Sequence, residues 1–245
     1  MLKLLVTGKS GRMGQAVLQA AAADPAVTVA ATHDAGEDLA AALAAADCAI
    51  DFTVPAFTTE LVEAALARGT RLVIGTTGHT DAQLAALTRA AASLPIVHAP
   101  NFSVGVNTLF WLARHAARIL GPGHFDIELV EMHHRHKIDA PSGTARRLLE
   151  ILNRETGGPS QHDLRHGRVG NTGPRPAREI GVHALRGGDV VGDHTVVFAA
   201  DGERVELTHR ASSRLTFAAG AIRAARWLAT RPPGLYSMQD VLNLA

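Results

Sequence analysis

The chain has 245 residues, 47% hydrophobic and 19% charged, with a formal net charge of +1 and one cysteine, Cys48. That length suits two modest domains, and the composition gives no case for disorder. A near-neutral chain has no global basic field to gather nucleic acid, a lone cysteine excludes an internal disulfide or cysteine-rich zinc site, and no leader or membrane-length apolar run is visible; a cytoplasmic protein free of membrane and nucleic acid is expected.

Residues 3–22, KLLVTGKSGRMGQAVLQAAA, open as a short apolar run, break at glycine and continue with helix formers. The order is strand, turn, helix. Gly8, Gly11 and Gly14 set a G-x-x-G-x-x-G spacing, a variant of the dinucleotide fingerprint in the context that fingerprint requires. Glycine there lets the backbone approach a pyrophosphate, whose charge is favoured by free N–H groups and the helix dipole. The next stretch, VTVAATHD, alternates as a strand and ends at Asp34. An acid about 20 residues past such a loop meets an adenosine ribose hydroxyl. A bland tight turn beside a solvated aspartate is the alternative, and the two signals together outweigh it.

Strand-like runs recur in CAIDFT, RLVIGTT and LPIVHAPNFS, separated by the helical stretches AFTTELVEAALARG and TDAQLAALTRAAAS. This alternation predicts an N-terminal Rossmann-like, doubly wound parallel sheet. Ligands bind beyond the carboxyl ends of such strands, which read Asp51-Phe52-Thr53, Gly75-Thr76-Thr77 and Ala99-Pro100-Asn101-Phe102. Taken singly, each is also ordinary turn chemistry.

After about Ser103 the pattern changes. VGVNTLFWLARHAARIL reads as an amphipathic helix ended by Gly121-Pro122-Gly123, FDIELVEMHH as a strand, and ARRLLEILNRE as a helix. Residues 156–178 lack apolar periodicity and read as a long loop. DVVGDHTVVFAA and ERVELTHRA, joined at Asp201-Gly202, are strands that predict a second α+β domain with a mixed or antiparallel sheet. The closing stretches RLTFAAGAIRAARWLAT and SMQDVLNLA read as helices.

Residues 131–145, EMHHRHKIDAPSGTA, concentrate the candidate chemistry. A strand ending in His133, His134, Arg135, His136 and Lys137, followed by Ser142-Gly143-Thr144 at a helix start, offers side-chain cations, a hydroxyl and backbone N–H groups to an anion. Lysine suits a carboxylate or phosphate, and histidine gives up a proton near neutral pH. Zinc is disfavoured: no cysteine is near, Lys137 repels a divalent cation, and alternation sends His134 and His136 one way and His133 the other. No metal is expected. A solvated basic edge strand is the structural alternative. Combined with a dinucleotide cleft, the cluster points to hydride reduction of a small carboxylated or phosphorylated molecule, the cofactor carrying the hydride and the protein supplying the proton.

The segments GKSGRMG, DFT, GTTG, APNFS, EMHHRHKIDAPSGTA and GDHT, in that order, closely resemble the 4-hydroxy-tetrahydrodipicolinate (dihydrodipicolinate) reductase family of bacterial and plant lysine biosynthesis, nearly end to end. The resemblance implies an oxidoreductase that reduces the dehydrated form of 4-hydroxy-tetrahydrodipicolinate, a dicarboxylate, to tetrahydrodipicolinate with NADH or NADPH, in a homotetramer. It implies loss of water, hydride delivery at C4 and protonation at C3. It makes His133 the proton donor and acceptor, Lys137 the second catalytic residue, and His134, Gly143 and Thr144 substrate-binding residues. Gly8, Lys9, Ser10, Gly11, Arg12 and Met13 match the pyrophosphate loop. Gly75, Thr76 and Thr77 match the stretch beside the nicotinamide ribose, and Ala99, Pro100, Asn101 and Phe102 the nicotinamide end.

His33-Asp34 stand where some members carry a glutamate-arginine pair, which suits a ribose hydroxyl, while Lys9 and Arg12 can still attract a 2′-phosphate, so NADH and NADPH both stay open. The segment Ala35 to Asp47 is shorter than in many members. The resemblance also implies a dinucleotide-binding domain of residues 1–103 completed by 212–245, and a substrate-binding and oligomerisation domain of 104–211, with closure about Ser103 and Ala211 expected from that layout. Two other classes are another nicotinamide-dependent reductase of a small anion and a non-catalytic dinucleotide sensor indifferent to His133 and Lys137.

Overall fold

The computed structural model describes residues 1–121, 124–157 and 164–244. It separates into two compact units, Met1–Val104 with Arg214–Ala245, and Gly105–Ser213.

The first unit is built on β1 (Leu2–Thr7), β2 (Val27–His33), β3 (Cys48–Asp51), β4 (Arg71–Ile74), β5 (Pro95–His98) and β11 (Gly234–Tyr236). They form a six-stranded sheet in the order β11-β5-β4-β3-β1-β2, with every neighbouring pair parallel. This is the doubly wound sheet read from the alternation of strand and helix. Strands buried on both faces are near-continuous apolar runs, as in LLV of β1 and CAI of β3. Successive side chains point to opposite faces. Leu4, Val6 and Ile50 meet Val17 of α1 (Arg12–Ala22) and Ile222 of α7 (Leu215–Leu228). Leu5, Ala49 and Leu72 meet Leu43 of α2 (Leu39–Ala44), Leu61 of α3 (Pro55–Arg68) and Leu87 of α4 (Asp81–Ala90) on the other face. The chain leaves β1 for β2 on one side and returns to β3 on the other, so the order reverses at β1/β3 and a crevice opens at their carboxyl ends.

Two of these elements went unread in the sequence. Helix α2 is six residues long and is capped by Asp38, whose carboxylate accepts the Ala41 N–H at 3.0 Å. Strand β11 lies between α7 and α8 (Met238–Leu242), in the gap between the two stretches read as helical, and at three residues it is too short to show a period.

In the second unit, β6 (Asp126–His133), β7 (Leu164–His166), β8 (Ile180–Arg186), β9 (Gly192–Ala200) and β10 (Glu203–Ala211) form a five-stranded sheet in the order β10-β9-β6-β8-β7. It is mixed: β10/β9 and β9/β6 are antiparallel, β6/β8 and β8/β7 parallel. Strand β8 was not recognised as a strand, and β7 interrupts the expected loop of residues 156–178. Residues 158–163 of that loop, with Pro122 and Gly123 of the expected helix stop, lie outside the described residues. Helices α5 (Val104–Leu120) and α6 (Gly143–Glu155) cover one face, packing Phe110, Leu148 and Leu152 on Ile127, Leu129, Val196 and Phe198.

Candidate functional site

In the first unit, β1 runs into Gly8, whose φ of 64° is the left-handed conformation that favours glycine. Its N–H bonds the His33 carbonyl at 2.8 Å, and the Gly11 N–H bonds the Gly8 carbonyl at 2.9 Å. The loop therefore curls over β2 and delivers the chain to α1. Gly11 at the helix N-cap makes no side-chain capping bond, which leaves the positive end of the dipole to a ligand. A Cβ on Gly14 would sit 2.0 Å from the Gly8 carbonyl oxygen, so only glycine lets α1 pack this close to its own loop.

Asp34, just past β2, accepts the Ser10 N–H at 3.2 Å, which brings the predicted ribose acid onto the predicted pyrophosphate loop. Lys9 is ion-paired with Glu37, a residue the sequence reading missed. The Lys9 ammonium, and then the Asp34 backbone N–H, hold the Glu37 carboxyl below the usual carboxylate range. Lys9 is thus already engaged by an acid.

The ends of β1, β3 and β4 are tied together by Asp51. This fully buried carboxylate accepts hydroxyls from Thr7 at 2.6 Å, Thr53 at 2.7 Å and Thr76 at 2.7 Å. Phe52 packs edge-on against Phe102, 5.5 Å between ring centroids, and a Cβ on Gly75 would lie 2.1 Å from the Phe52 ring. The Asn101 side chain accepts the Ser103 N–H at 2.8 Å. Gly75, Thr76 and Phe102 belong to this packed crevice floor, whereas Thr77 and Pro100 are exposed and Ala99 is buried.

In the second unit, β6 alternates so that Ile127, Leu129, Glu131 and His133 share one face. The first two enter the core; the last two turn its end polar. Glu131 is completely buried and accepts four hydrogen bonds. Its donors are Nδ1 of His133 at 2.6 Å, the two Nη atoms of Arg186 at 2.9 and 3.0 Å, and the Ser142 backbone N–H at 3.1 Å. Burial works to raise its pKa, but the hydrogen bonds from Arg186 and His133 overcome it and leave the carboxyl below its ordinary value. Arg186 also donates to the Asp139 carbonyl at 2.7 Å, pinning the turn after the strand.

His194 faces Glu131 across the β6–β9 ladder, with its ring edge-on to that of His133 at 5.1 Å. Burial first, then the neighbouring His133 charge, lowers the pKa of His194 to about 3, so it stays neutral. Ser142 caps α6, accepting the Ala145 N–H at 3.2 Å, and its hydroxyl shares a hydrogen bond with His194 Nε2 at 3.0 Å. A Cβ on Gly192 would come within 3.0 Å of His133 Nε2, so glycine there keeps that nitrogen clear.

Lys137 Nζ lies 2.7 Å from Asp139 Oδ1, and its backbone N–H turns back to the His134 carbonyl at 3.1 Å. Lys137, first of all, holds the Asp139 carboxyl below its ordinary pKa. Gly143 and Thr144 form the first turn of α6, the end that favours an anion. His134 and His136 have ring centroids 6.3 Å apart. Among the described residues no group of His, Cys, Asp and Glu is spaced to hold a metal ion.

The sequence pointed to His133 but not to Glu131, Arg186 or His194. The signal for Glu131 was its i, i+2 spacing with His133. Arg186 comes from the unrecognised β8, and His194 stood in the GDHT segment without a role.

Comparison with known proteins adds the lineage. The family described as "Dihydrodipicolinate reductase, N-terminus" matches residues 2–102, and "Dihydrodipicolinate reductase, C-terminus" matches residues 105–242. A protein of Akkermansia muciniphila named 4-hydroxy-tetrahydrodipicolinate reductase is 61% identical over 245 residues, covering 100% of this chain and 99% of that one. One of the same name from Alkalilimnicola ehrlichii is 49% identical over 265 residues and 99% of each chain. The solved structure of dipicolinate-bound dihydrodipicolinate reductase from Paenisporosarcina sp. TG-14 shares the fold, with a TM-score of 0.81 at 24% identity over 98% of each chain. With both halves matched and a relative 61% identical along its whole length, the chain belongs to the dihydrodipicolinate reductase family.

Proposed function

We propose that this chain reduces the dehydrated form of 4-hydroxy-tetrahydrodipicolinate to tetrahydrodipicolinate, with His133 as the proton donor at C3. The observation that carries the residue roles is the buried Glu131–His133 pair at 2.6 Å, one strand end away from a lysine and a helix N-terminus. Lys137 and the first turn of α6 at Gly143 and Thr144 hold substrate carboxylate, with His134 beside them. The Lys137 ammonium is paired with Asp139 at 2.7 Å, a partner that a substrate carboxylate would share or displace.

A nicotinamide dinucleotide suits the first unit because the close packing of Gly14 on Gly8 and the uncapped start of α1 make a cradle for pyrophosphate. Gly8 to Met13 would hold the pyrophosphate and Asp34 the adenosine ribose. Gly75 to Thr77 and Ala99 to Phe102 would line the nicotinamide end. Bound there, the nicotinamide supplies the hydride. His133 Nε2 supplies the proton as charge builds at C3, and Lys137 steadies the neighbouring carboxylate. Neither task calls for a metal. Asp34 and Glu37 on the adenosine side, with Lys9 already paired, favour NADH over NADPH, although the exposed Arg12 remains available to a phosphate.

Assembly as a homotetramer is part of the same proposal. The sheet face turned away from α5 and α6 carries Val130, Met132, Leu185 and Val197, an apolar strip suited to a second copy. No helix among the described residues is long and apolar enough to cross a membrane, and a cytoplasmic location fits the reaction proposed.

The test is oxidation of NADH, and separately NADPH, by freshly made substrate, run beside Lys137→Ala. Turnover that the variant loses by about 10²-fold or more is expected, the range for a group that aligns and charges the reacting centre. An unaffected variant would overturn the role of Lys137.

A further inference from the structure

Resting on the proposed reductase chemistry, we infer that Glu131 is the positioning residue of the site: its carboxylate fixes the tautomer of His133 and holds the proton donor in register with the carboxylate-binding turn. Oε2 takes His133 Nδ1 at 2.6 Å, while Oε1 takes the Ser142 N–H at 3.1 Å, immediately before Gly143 and Thr144. Arg186 bridges both oxygens and extends at 2.7 Å to the backbone carbonyl of Asp139, the residue whose side chain pairs with Lys137. One buried carboxylate therefore bonds directly to the acid and to the helix cap, and through Arg186 to the lysine turn.

The tautomer follows from the donor inventory. An ionised carboxylate only accepts, so Nδ1 of His133 must carry hydrogen whether the ring is neutral or charged. The proton exchanged with substrate is then confined to Nε2, the nitrogen that Gly192 leaves clear. His194 is a poor substitute, because burial keeps it neutral and its Nε2 is bonded to the Ser142 hydroxyl.

The charged and titratable groups around His133 are Glu131 on its own strand, Arg186 on β8, His194 on β9 with His209 on β10 beyond it, and Lys137 with Asp139 in the following turn. Of these, Glu131 is the anion in contact with the ring. His194 and His209 are both kept towards neutrality by burial.

Glu131→Gln keeps the shape and removes the charge. Its amide nitrogen can donate to Nδ1 and force hydrogen onto Nε2 of the neutral ring, which then cannot recover a proton there. We expect kcat to fall by about 10²-fold, at the lower end of what general acid catalysis contributes, with a smaller change in KM. The alkaline limb of the pH–rate profile should move to lower pH. Glu131→Asp, which keeps the charge, should recover part of the loss. In a His133→Gln background, Glu131→Gln should cost much less than in the native protein, because its main route to the reaction, the ring, is no longer there.

Histidine ¹⁵N shifts give a readout independent of turnover: Nδ1 of His133 protonated in the neutral ring of the native protein, and Nε2 protonated in Glu131→Gln. A Glu131→Gln protein with native kcat and an unmoved pH profile would overturn the inference, as would an unchanged ring tautomer or fully additive losses in the double variant. If the native protein showed no turnover at all, the reductase proposal would fail, while the ¹⁵N shifts would still decide whether Glu131 sets the ring. Native-like circular dichroism and NADH binding by the first unit separate loss of the clamp from loss of the fold.

Discussion

Replacing Gly14 by alanine should damage dinucleotide binding far more than replacing Gly11, although both belong to the same glycine spacing. A Cβ at Gly14 would be 2.0 Å from the Gly8 carbonyl oxygen and 2.7 Å from its carbon, where ordinary contact begins at 3.4 Å. The nearest atoms are backbone, not the far end of a flexible side chain, so α1 or the loop must move by more than 1 Å, roughly the misplacement that costs 10²-fold in rate. A Cβ at Gly11 would be 3.2 Å from the same oxygen, which a shift of a few tenths of an ångström relieves. Overpacking costs about 1–3 kcal/mol, and alanine returns up to about 1 kcal/mol as a better helix former, so Gly14→Ala should still fold. Fluorescence titration with NADH should show affinity reduced by at least about 10-fold in Gly14→Ala and changed by less than about 3-fold in Gly11→Ala, with kcat/KM following. Equal effects of the two substitutions, or native affinity in Gly14→Ala, would refute the argument that this contact shapes the cradle.

The ion pairs and buried titratable groups set further outcomes. Glu37→Gln frees Lys9 for a 2′-phosphate, so the NADPH to NADH ratio of kcat/KM should rise by about two- to five-fold, the scale of one exposed ion pair; a fall in that ratio would contradict the role given to Lys9. His194 has a folded pKa of about 3 against an ordinary 6.5, so the unfolded chain binds a proton that the folded chain refuses. Its contribution to stability is therefore full above about pH 6.5 and lost as pH falls towards about 3. Urea midpoints measured from pH 7 to pH 4 should fall, and His194→Asn should flatten that slope. Glu128 adds a lower window: burial raises its pKa, but Arg168, His183 and Arg175 bring it down to about 2 from 4.5, so its contribution disappears as pH falls between those values. Glu128→Gln should remove that acid-side loss from the urea midpoints.

Much of the first unit was legible because its signals are local. The run LLV, the glycines at 8, 11 and 14, and Asp34 lie within one strand-turn-helix-strand unit, and each states its own backbone requirement. Strands β7, β8 and β11 were not, since two are three residues long and the third exposes Leu185 and takes its place from the neighbours β6 and β7. The same division runs through the candidate site. His133 and Lys137 stood out as a cluster of charge, but what surrounds His133 is assembled across the sheet: Arg186 reaches Glu131 from 55 positions away, and His194 reaches Ser142 from 52. No spacing rule announces such a pair. Glu37 shows the reverse, a surface acid whose meaning depends on which cation the loop places beside it.

The proposed reaction takes hydride from the cofactor and the proton from the protein side, at adjacent carbons of one substrate. It is tested most directly by running the reaction with NADH deuterated at the transferable position and locating the label in the product by NMR. One deuterium at C4 from labelled NADH in ordinary water, and one at C3 from unlabelled NADH in heavy water, is the predicted result. Label at any other carbon, or folded protein that leaves both substrate and NADH unchanged, would contradict it.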